Sequence, residues 1–507
     1  MEDDARWSDV LVAVDVGTSG ARAAAFDLEG RRRMEVRRSY PTRTPHPGWA
    51  EQDAQAWRAA ALSALRELVA RLGSGKRVRA IGLTGQCPSV VIVDRTLRPI
   101  RPGLIYRDNR AVREATELRE RYGDTGIHAR TGHLPAAFHV LPKLLWLRHH
   151  EASALERAAV ALQPRDWLAL ALTGEVVTDG THAAATLAFD LATRTWATDV
   201  VADLALPQTL FPRVCRSSEV VGSLLPSVAR RLGLAPSTPV VLGGADSQAC
   251  AFGAGVVTPG PVSEMAGSST CLNAVVDRPL SVLDVTHYPH VVGDRVTTET
   301  GLNTTGAAVA WFGELAYGAA RGRRGDRAYD RLDADAARVA PGSDAVLGLA
   351  VLGDGERTAP ELRGAFTGLS LRHDRGVLAR ALLEAAAYAI RDQLALLDIG
   401  GAPATELRIS GGDARLGTWN RIKADVTGLP VRRVPGDAAV TGVAMLAGIG
   451  AGVYGDVDEA IDRCVRREPA IDPDPANRAV YEDRFDAWRE LVSSPAVRRS
   501  IAGDAAG

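Results

Sequence analysis

Val10-Leu-Val-Ala-Val-Asp15-Val-Gly17-Thr18-Ser19-Gly20-Ala-Arg22-Ala-Ala-Ala-Phe26-Asp27 is the stretch on which the reading of this chain turns. A β-branched apolar run ends on an acidic residue, passes through a Gly-Thr-Ser-Gly turn and enters a second apolar run, which is the pattern of a β-hairpin. The small residues Gly17, Thr18 and Ser19 let backbone N–H groups close on an anion, and the two hydroxyls add donors. Asp15, at the end of the first strand, is suited to hold a hydrated Mg²⁺ facing that anion. An ordinary hairpin with a polar turn fits the same residues.

The pattern returns about 250 residues later, in Gly260-Pro-Val-Ser-Glu-Met-Ala-Gly267-Ser268-Ser269-Thr270-Cys-Leu-Asn-Ala-Val-Val276. Two such loops, one in each half, suggest a duplicated unit clasping one polyphosphate. The length agrees, because 507 residues exceed one core and imply two domains. We expect them at 1–256 and 257–507.

Composition excludes several classes. Lys and Arg number 60 against 61 Asp and Glu, so no strong field favours nucleic acid or an anionic membrane. Five scattered cysteines, Cys87, Cys215, Cys250, Cys271 and Cys464, form no metal-ligand spacing and read as reduced thiols. The acidic start carries no apolar signal-peptide stretch, and Ala438 to Gly455 reads as a packed helix rather than a membrane span. A cytoplasmic protein is the expectation.

Between the two loops, strands deliver polar residues. Asp53 caps a helix through Trp57, Ala61, Leu65, Leu68 and Leu72. Val78 to Leu83 runs into Thr84-Gly85-Gln86-Cys87-Pro88-Ser89, where Gln86 either meets a polyol or satisfies its own turn. Asp108, in Arg107-Asp108-Asn109-Arg110, either binds a sugar hydroxyl or caps the following helix. Residues 111–235 read as helices joined by short loops. Pro239 to Leu242 delivers Gly243-Gly244-Ala245-Asp246. An Asp at the mouth of a strand can take a proton from a hydroxyl that attacks a phosphoryl group, or it can simply cap a helix.

Further on, Gly306 opens a helix near Ala307. The stretch 318–345 reads as charged surface, and Gly353-Asp-Gly-Glu-Arg357-Thr as a polar turn. A strand Glu406 to Ser410 enters Gly411-Gly412-Asp413, where paired glycines let a flat ring or a phosphate lie on the backbone. The glycine-rich helix Ala438 to Gly450 follows, and a polar tail holds a helix near Ala479 to Leu491.

With these motifs in order, the chain resembles the FGGY family of carbohydrate kinases, of the actin–hexokinase superfamily, and is most similar to its xylulokinase group. The resemblance rests on Asp15-Val-Gly-Thr-Ser-Gly, Pro45-His-Pro-Gly-Trp49 with Glu51-Gln-Asp53, Pro142-Lys-Leu-Leu-Trp146, Leu172-Thr-Gly-Glu175, Gly353-Asp-Gly-Glu-Arg-Thr358, Arg363-Gly-Ala-Phe-Thr-Gly-Leu369 and the Gly411 region. It implies an α/β fold of two ribonuclease-H-like domains with a cleft between them, binding ATP and Mg²⁺. It implies that Asp15 organises the metal, with Asp246 as a second carboxylate and as the general base. Gly17, Thr18, Ser19, Gly267, Ser268, Ser269, Gly306, Gly411 and Gly412 would face the nucleotide. Gln86, Cys87, Pro88, Asp108 and Asp246 would face the sugar.

The chain departs from the group where Gly-Gln-Met-His-Gly is usual and Gly85-Gln86-Cys87-Pro88-Ser89 stands instead, and again where Asp413 replaces a third glycine. The resemblance therefore implies phosphoryl transfer to a ketopentose or a related open-chain sugar. Kinases of ribulose, erythritol or gluconate are alternatives, as are a non-catalytic sugar or nucleotide sensor and an actin-type ATPase. The expected partner is a small sugar, with neither nucleic acid nor membrane, and a homodimer is left open.

Overall fold

The computed structural model describes residues 9–318, 327–353, 355–356 and 359–498. Two compact units form, and they are not cut from the chain at one point. The first gathers Met1–Val257, Val276–Thr298 and Asp437–Val465; the second gathers Thr258–Val275, Glu299–Gly436 and Arg466–Gly507. A cut at 256/257 divides the sequence, whereas these units divide space, and the difference has a packing cause described below.

In the first unit a six-stranded sheet runs in the order Val220–Ser223, Pro239–Val241, Val78–Gly85, Val10–Val16, Gly20–Asp27, Arg32–Ser39. The expected hairpin is there, Val10–Val16 pairing antiparallel with Gly20–Asp27. Its other neighbour, Val78–Gly85, is parallel, and so is the next, Pro239–Val241. Alternation sends side chains to both faces. Val10, Val12 and Val14 enter a core with Trp57, Leu65 and Leu68 of the helix Ala54–Leu72. That helix starts where expected, with Asp53 accepting from the Gln55 N–H at 2.8 Å. Leu11 and Ala13 enter a second core with Ala249 and Phe252 of Asp246–Gly253 and Val443 and Leu446 of Ala438–Gly450. Covering this opposite face is what draws Asp437–Val465 into the first unit. The two covering helices touch backbone to backbone, since a Cβ on Gly253 would stand 1.9 Å from the Ala438 carbonyl oxygen.

The second unit repeats the scheme. Pro261–Ala266 and Thr270–Val276 form a hairpin, with Glu406–Ser410 parallel to the first strand and Val431–Arg433 parallel to that. The helices Arg375–Ile399, Gly417–Thr427 and Arg478–Ser493 close a core around Leu382, Tyr388, Trp419, Phe485 and Trp488. Beneath the hairpin, Lys423 donates to Glu264, both side chains fully buried.

Three expectations need correction or limits. Of the supposed surface stretch 318–345, residues 319–326 lie outside the described residues, and Arg327–Ala337 is a helix that buries Ala328, Tyr329, Leu332 and Ala336. The three- and four-residue spacing was present but masked by the charges around it. Residues 111–235 also hold short strands, such as Val177–Asp179 parallel to Arg213–Cys215. In the polar turn at 353–358, Asp354, Arg357 and Thr358 lie outside the described residues.

Candidate functional site

Three neighbouring parallel strands of the first unit end side by side. In their register Asp15 lies opposite Thr84, and Val241 opposite Gly82. The chain leaving these ends carries Asp15, Gln86 with Cys87, and the Gly243-Gly244-Ala245-Asp246 turn. The carboxyl edge of parallel strands is where ligand-binding groups gather in open α/β sheets, because the backbone there turns away and leaves a crevice.

Asp15 is buried and split in function. Its Oδ2 accepts from Arg22 Nε at 2.8 Å, while Oδ1 is buried with no hydrogen-bond partner among the described residues. Burial pushes this carboxyl up, Arg22 opposes that, and Asp437 adds to it. Arg22 also donates to Asp437, whose carboxylate caps the helix Ala438–Gly450 by accepting from the Ala439 and Val440 N–H groups.

The Gly17–Ser19 turn closes on itself, Gly17 N donating to the Gly20 carbonyl at 3.0 Å. Its carbonyls are held from below. Tyr40 donates to the Gly17 carbonyl, and Gln52 Nε2 to that of Thr18 at 2.7 Å. Gln52 Oε1 in turn accepts from Trp57 Nε1 at 2.7 Å and from Gln86 Nε2 at 2.9 Å. Gln86 therefore braces the turn, and its Oε1 is left buried without a partner among the described residues.

The Cys87–Pro88 peptide is cis. Cys87 is partly exposed. Its thiol is pushed well up by burial, and next by the Asp246, Asp179 and Asp166 carboxylates, which puts Cys87 in the neighbourhood of Asp246. Ser89 is buried, its Oγ accepting from Tyr106 N at 3.1 Å. Under this loop sits Lys143, fully buried, donating to the carbonyls of Ile105 at 2.8 Å, Phe138 at 2.6 Å and Pro88 at 3.5 Å. Burial brings its pKa down to about 7.

Asp108 is also fully buried. Its oxygens accept from Ala50 N at 2.6 Å, Arg110 Nη2 at 2.8 Å, Arg110 Nε at 2.9 Å and Arg110 N at 3.2 Å. A carboxylate has about four lone-pair positions, so none remains for a sugar hydroxyl. It does not cap the next helix either, whose N-cap is Ala111. Its work is to hold Arg110, which lies over the Trp49 ring at 3.7 Å and also binds Glu51.

Asp246 is the first residue of its helix and half-buried, with Oδ1 accepting from the Ser247 N–H at 2.9 Å.

Of the residues expected to face the nucleotide, Gly17, Thr18 and Ser19 lie in the first unit, and Gly267, Ser268, Ser269, Gly306, Gly411 and Gly412 in the second. Met265 pairs with Ser410, so Gly267 and Gly411 leave the same sheet edge. A Cβ on Gly411 would stand 2.3 Å from the Ala266 carbonyl oxygen. Gly306 is tighter still. A Cβ there would fall 1.9 Å from Asp413 Oδ2 and 2.1 Å from the Gly267 carbonyl oxygen. Ala307 N donates to the Ser268 carbonyl at 2.9 Å, which ties the loop to the helix Thr305–Tyr317. Ser268, Gly411 and Gly412 are exposed. A cavity of about 230 Å³ in this unit, lined by Thr304, Leu349, Gln393 and Trp488 among others, includes none of these residues.

Sequence reasoning missed Arg22, Gln52, Lys143 and Asp437. One signal was available: Arg22 stands directly opposite Asp15 in the hairpin register, as an opposite-charge cross-strand pair would. The others are brought in by folding.

The donor set suits a hydrated Mg²⁺, which usually takes one or two carboxylates and keeps waters and phosphate oxygens for the rest. Asp15 offers one buried, unengaged oxygen. Among the described residues no group of three or more His, Cys, Asp or Glu could hold a metal ion on protein ligands alone.

Comparison with known proteins agrees across the chain. Residues 10–253 match the model of the N-terminal domain of the FGGY family of carbohydrate kinases, and 263–451 that of its C-terminal domain. Xylulose kinase of Escherichia coli strain K12 is 30% identical over 489 residues, 95% of this chain and 98% of that protein. An autoinducer-2 kinase of Escherichia coli is 31% identical over 501 residues, 95% of this chain and 93% of that protein. The crystal structure of xylulose kinase from Rhodospirillum rubrum superimposes with a TM-score of 0.87 at 32% identity, over 96% of this chain and 98% of that one.

Proposed function

The chain belongs to the FGGY family of carbohydrate kinases and is an ATP-dependent sugar kinase, and we propose that its acceptor is a ketopentose or a closely related open-chain sugar. No helix among the described residues is long and apolar enough to cross a membrane.

In this reading Asp246 accepts the proton of the attacking hydroxyl. The acceptor oxygen bonds to the γ-phosphorus while the bond from that phosphorus to the departing ADP oxygen breaks. The Gly17–Ser19 and Gly267–Ser269 turns supply N–H and hydroxyl donors to phosphate oxygens. Gly411 and Gly412, both exposed, leave backbone bare for the nucleotide, and Gly306 lets the Gly267–Ser269 loop close on its own helix. Asp15, with Asp246 as a second carboxylate, would hold Mg²⁺, which neutralises charge on the phosphates when bound. Gln86, Cys87 and Pro88 line the acceptor side. Asp108 serves it indirectly, by fixing Arg110 and the turn at Ala50.

The single observation that supports this reading is the shared edge of three parallel strands that carries Asp15, Gln86 and the turn into Asp246. Xylulose kinases among the relatives favour a ketopentose. A second reading has its own support. The Cys87-Pro88 pair removes the usual Met-His, and an autoinducer-2 kinase is as similar as the xylulose kinase, so an acceptor other than a ketopentose is the second reading. ADP release measured with ketopentoses, ketohexoses, polyols and sugar acids, each with and without Mg²⁺, decides. Release that depends on a ketopentose is expected. Release independent of any sugar, or none with any of them, would overturn the proposal.

A further inference from the structure

The turn Leu242-Gly243-Gly244-Ala245, which aims Asp246, belongs to no strand or helix, so its backbone groups must find partners elsewhere. The Leu242 and Gly243 N–H groups donate to the Glu219 carbonyl at 3.1 Å and the Ser217 carbonyl at 2.7 Å, while the carbonyls of residues 242–244 and the Ala245 N–H find buried side chains. Arg165 Nη1 donates to the Leu242 carbonyl at 2.9 Å and the Gly243 carbonyl at 3.3 Å. Thr84 Oγ1 donates to the Gly244 carbonyl at 2.7 Å. The Ala245 N–H, one residue before Asp246, donates to Thr181 Oγ1 at 2.8 Å. Gly243 adopts φ +72 and lies so close to Leu83 that the turn has no slack on that side.

Two of these holders converge on one carboxylate. Asp179 is fully buried; its Oδ1 accepts from Arg165 Nη2 at 2.6 Å and His182 Nδ1 at 2.8 Å, and its Oδ2 from Thr181 Oγ1 at 2.7 Å and Ser217 Oγ at 2.8 Å. Burial alone would raise this carboxyl, but Arg165 and His182 hold it well below the usual carboxylate range. A charged Asp179 settles a direction. Thr181 has one hydroxyl proton, and it is committed to Asp179, so the lone pairs of Thr181 Oγ1 are left for the Ala245 N–H.

We propose that Asp179, acting through Arg165 and Thr181, is the positioning residue that aims Asp246 at the acceptor hydroxyl. The proposal rests on the reading of Asp246 as the base. None of the three side chains needs to touch a substrate, and a small misplacement of a reacting group suffices to slow a reaction markedly.

The test is Thr181→Val, which keeps shape but removes both the proton and the lone pairs, with Thr181→Ala as a smaller change, Thr181→Ser as the conservative rescue, and Asp246→Asn in parallel. ADP release at saturating sugar gives kcat, calorimetry without sugar gives ATP affinity, and thermal unfolding gives the midpoint. Expected is a kcat lower by about tenfold to a hundredfold in the Val and Ala variants, with ATP affinity unchanged and kcat restored by Ser. Unchanged kcat in both variants overturns the proposal. So does a loss that tracks the unfolding midpoint and ATP affinity and is not rescued by Ser, which would make Thr181 merely structural. Full turnover in Asp246→Asn would instead strike the base assignment, which separates the two failures.

Discussion

Arg22 ties Asp15 to Asp437: its Nε donates to Asp15 Oδ2 at 2.8 Å and its Nη1 to Asp437 Oδ2, across a separation of 415 residues. One guanidinium thereby holds the expected metal carboxylate and the start of the helix that covers the sheet. Replacing Arg22 by Met should strand two largely buried carboxylates and lower stability by about 3 kcal/mol, read by denaturant unfolding. An unchanged midpoint would show that the pair carries no net stabilisation.

Asp246→Asn keeps the helix start and the size of the side chain but removes the proton acceptor. Its kcat at saturating sugar and Mg²⁺ should fall by roughly 10²–10⁴-fold, while ATP affinity measured by calorimetry without Mg²⁺ stays within error. Near-normal turnover would eliminate Asp246 as the base.

Gly306 has no room for a methyl group, with Asp413 Oδ2 at 1.9 Å and the Gly267 carbonyl oxygen at 2.1 Å from the place a Cβ would take. Gly306→Ala should push the Gly267–Ser269 loop away and weaken ADP binding roughly tenfold, about 1.4 kcal/mol. The measurement is ADP titration with sugar affinity as the control. Equal nucleotide affinity in the variant would place the nucleotide elsewhere.

Lys143 gives a pH signature. Burial depresses its folded pKa to about 7 from 10.5, so between these values the unfolded chain binds more protons than the folded one. The stability contribution is then full above the unfolded pKa and is lost as pH falls through the folded one. Wild-type stability minus that of Lys143→Met should rise by on the order of 1–2 kcal/mol from about pH 7 to pH 9. A flat difference across that range would mean that Lys143 stays charged throughout.

Much of the fold was legible in the sequence because its signals are local. Asp53 before the apolar periodicity marked the helix Ala54–Leu72, and alternating runs about a small-residue turn marked both hairpins. The same local logic failed at Arg327–Ala337, where four apolar residues on one stripe were outweighed in composition by the charges between them. The site was legible only as positions. Gln86 could be placed at a strand end, but not its bond to Gln52. The sequence leaves Asp108 between a sugar ligand and a helix cap, and only the fold shows its oxygens accepting from Arg110 and the Ala50 N–H. Ligand roles depend on which lone pairs remain, and that depends on residues far away in the chain.

The amino-acid order alone determined the two Gly-hydroxyl hairpins, the strand that delivers Asp246 and the family to which they belong, since hydrophobic period and turn chemistry act over a few neighbouring residues. Tertiary structure alone decided that Ala438–Gly450 returns to cover the first sheet, that Arg22 reaches Asp437, and that Asp179 braces the turn into Asp246. These are contacts between distant segments, chosen by which buried face needs covering and which buried charge needs a partner, and no local pattern encodes them.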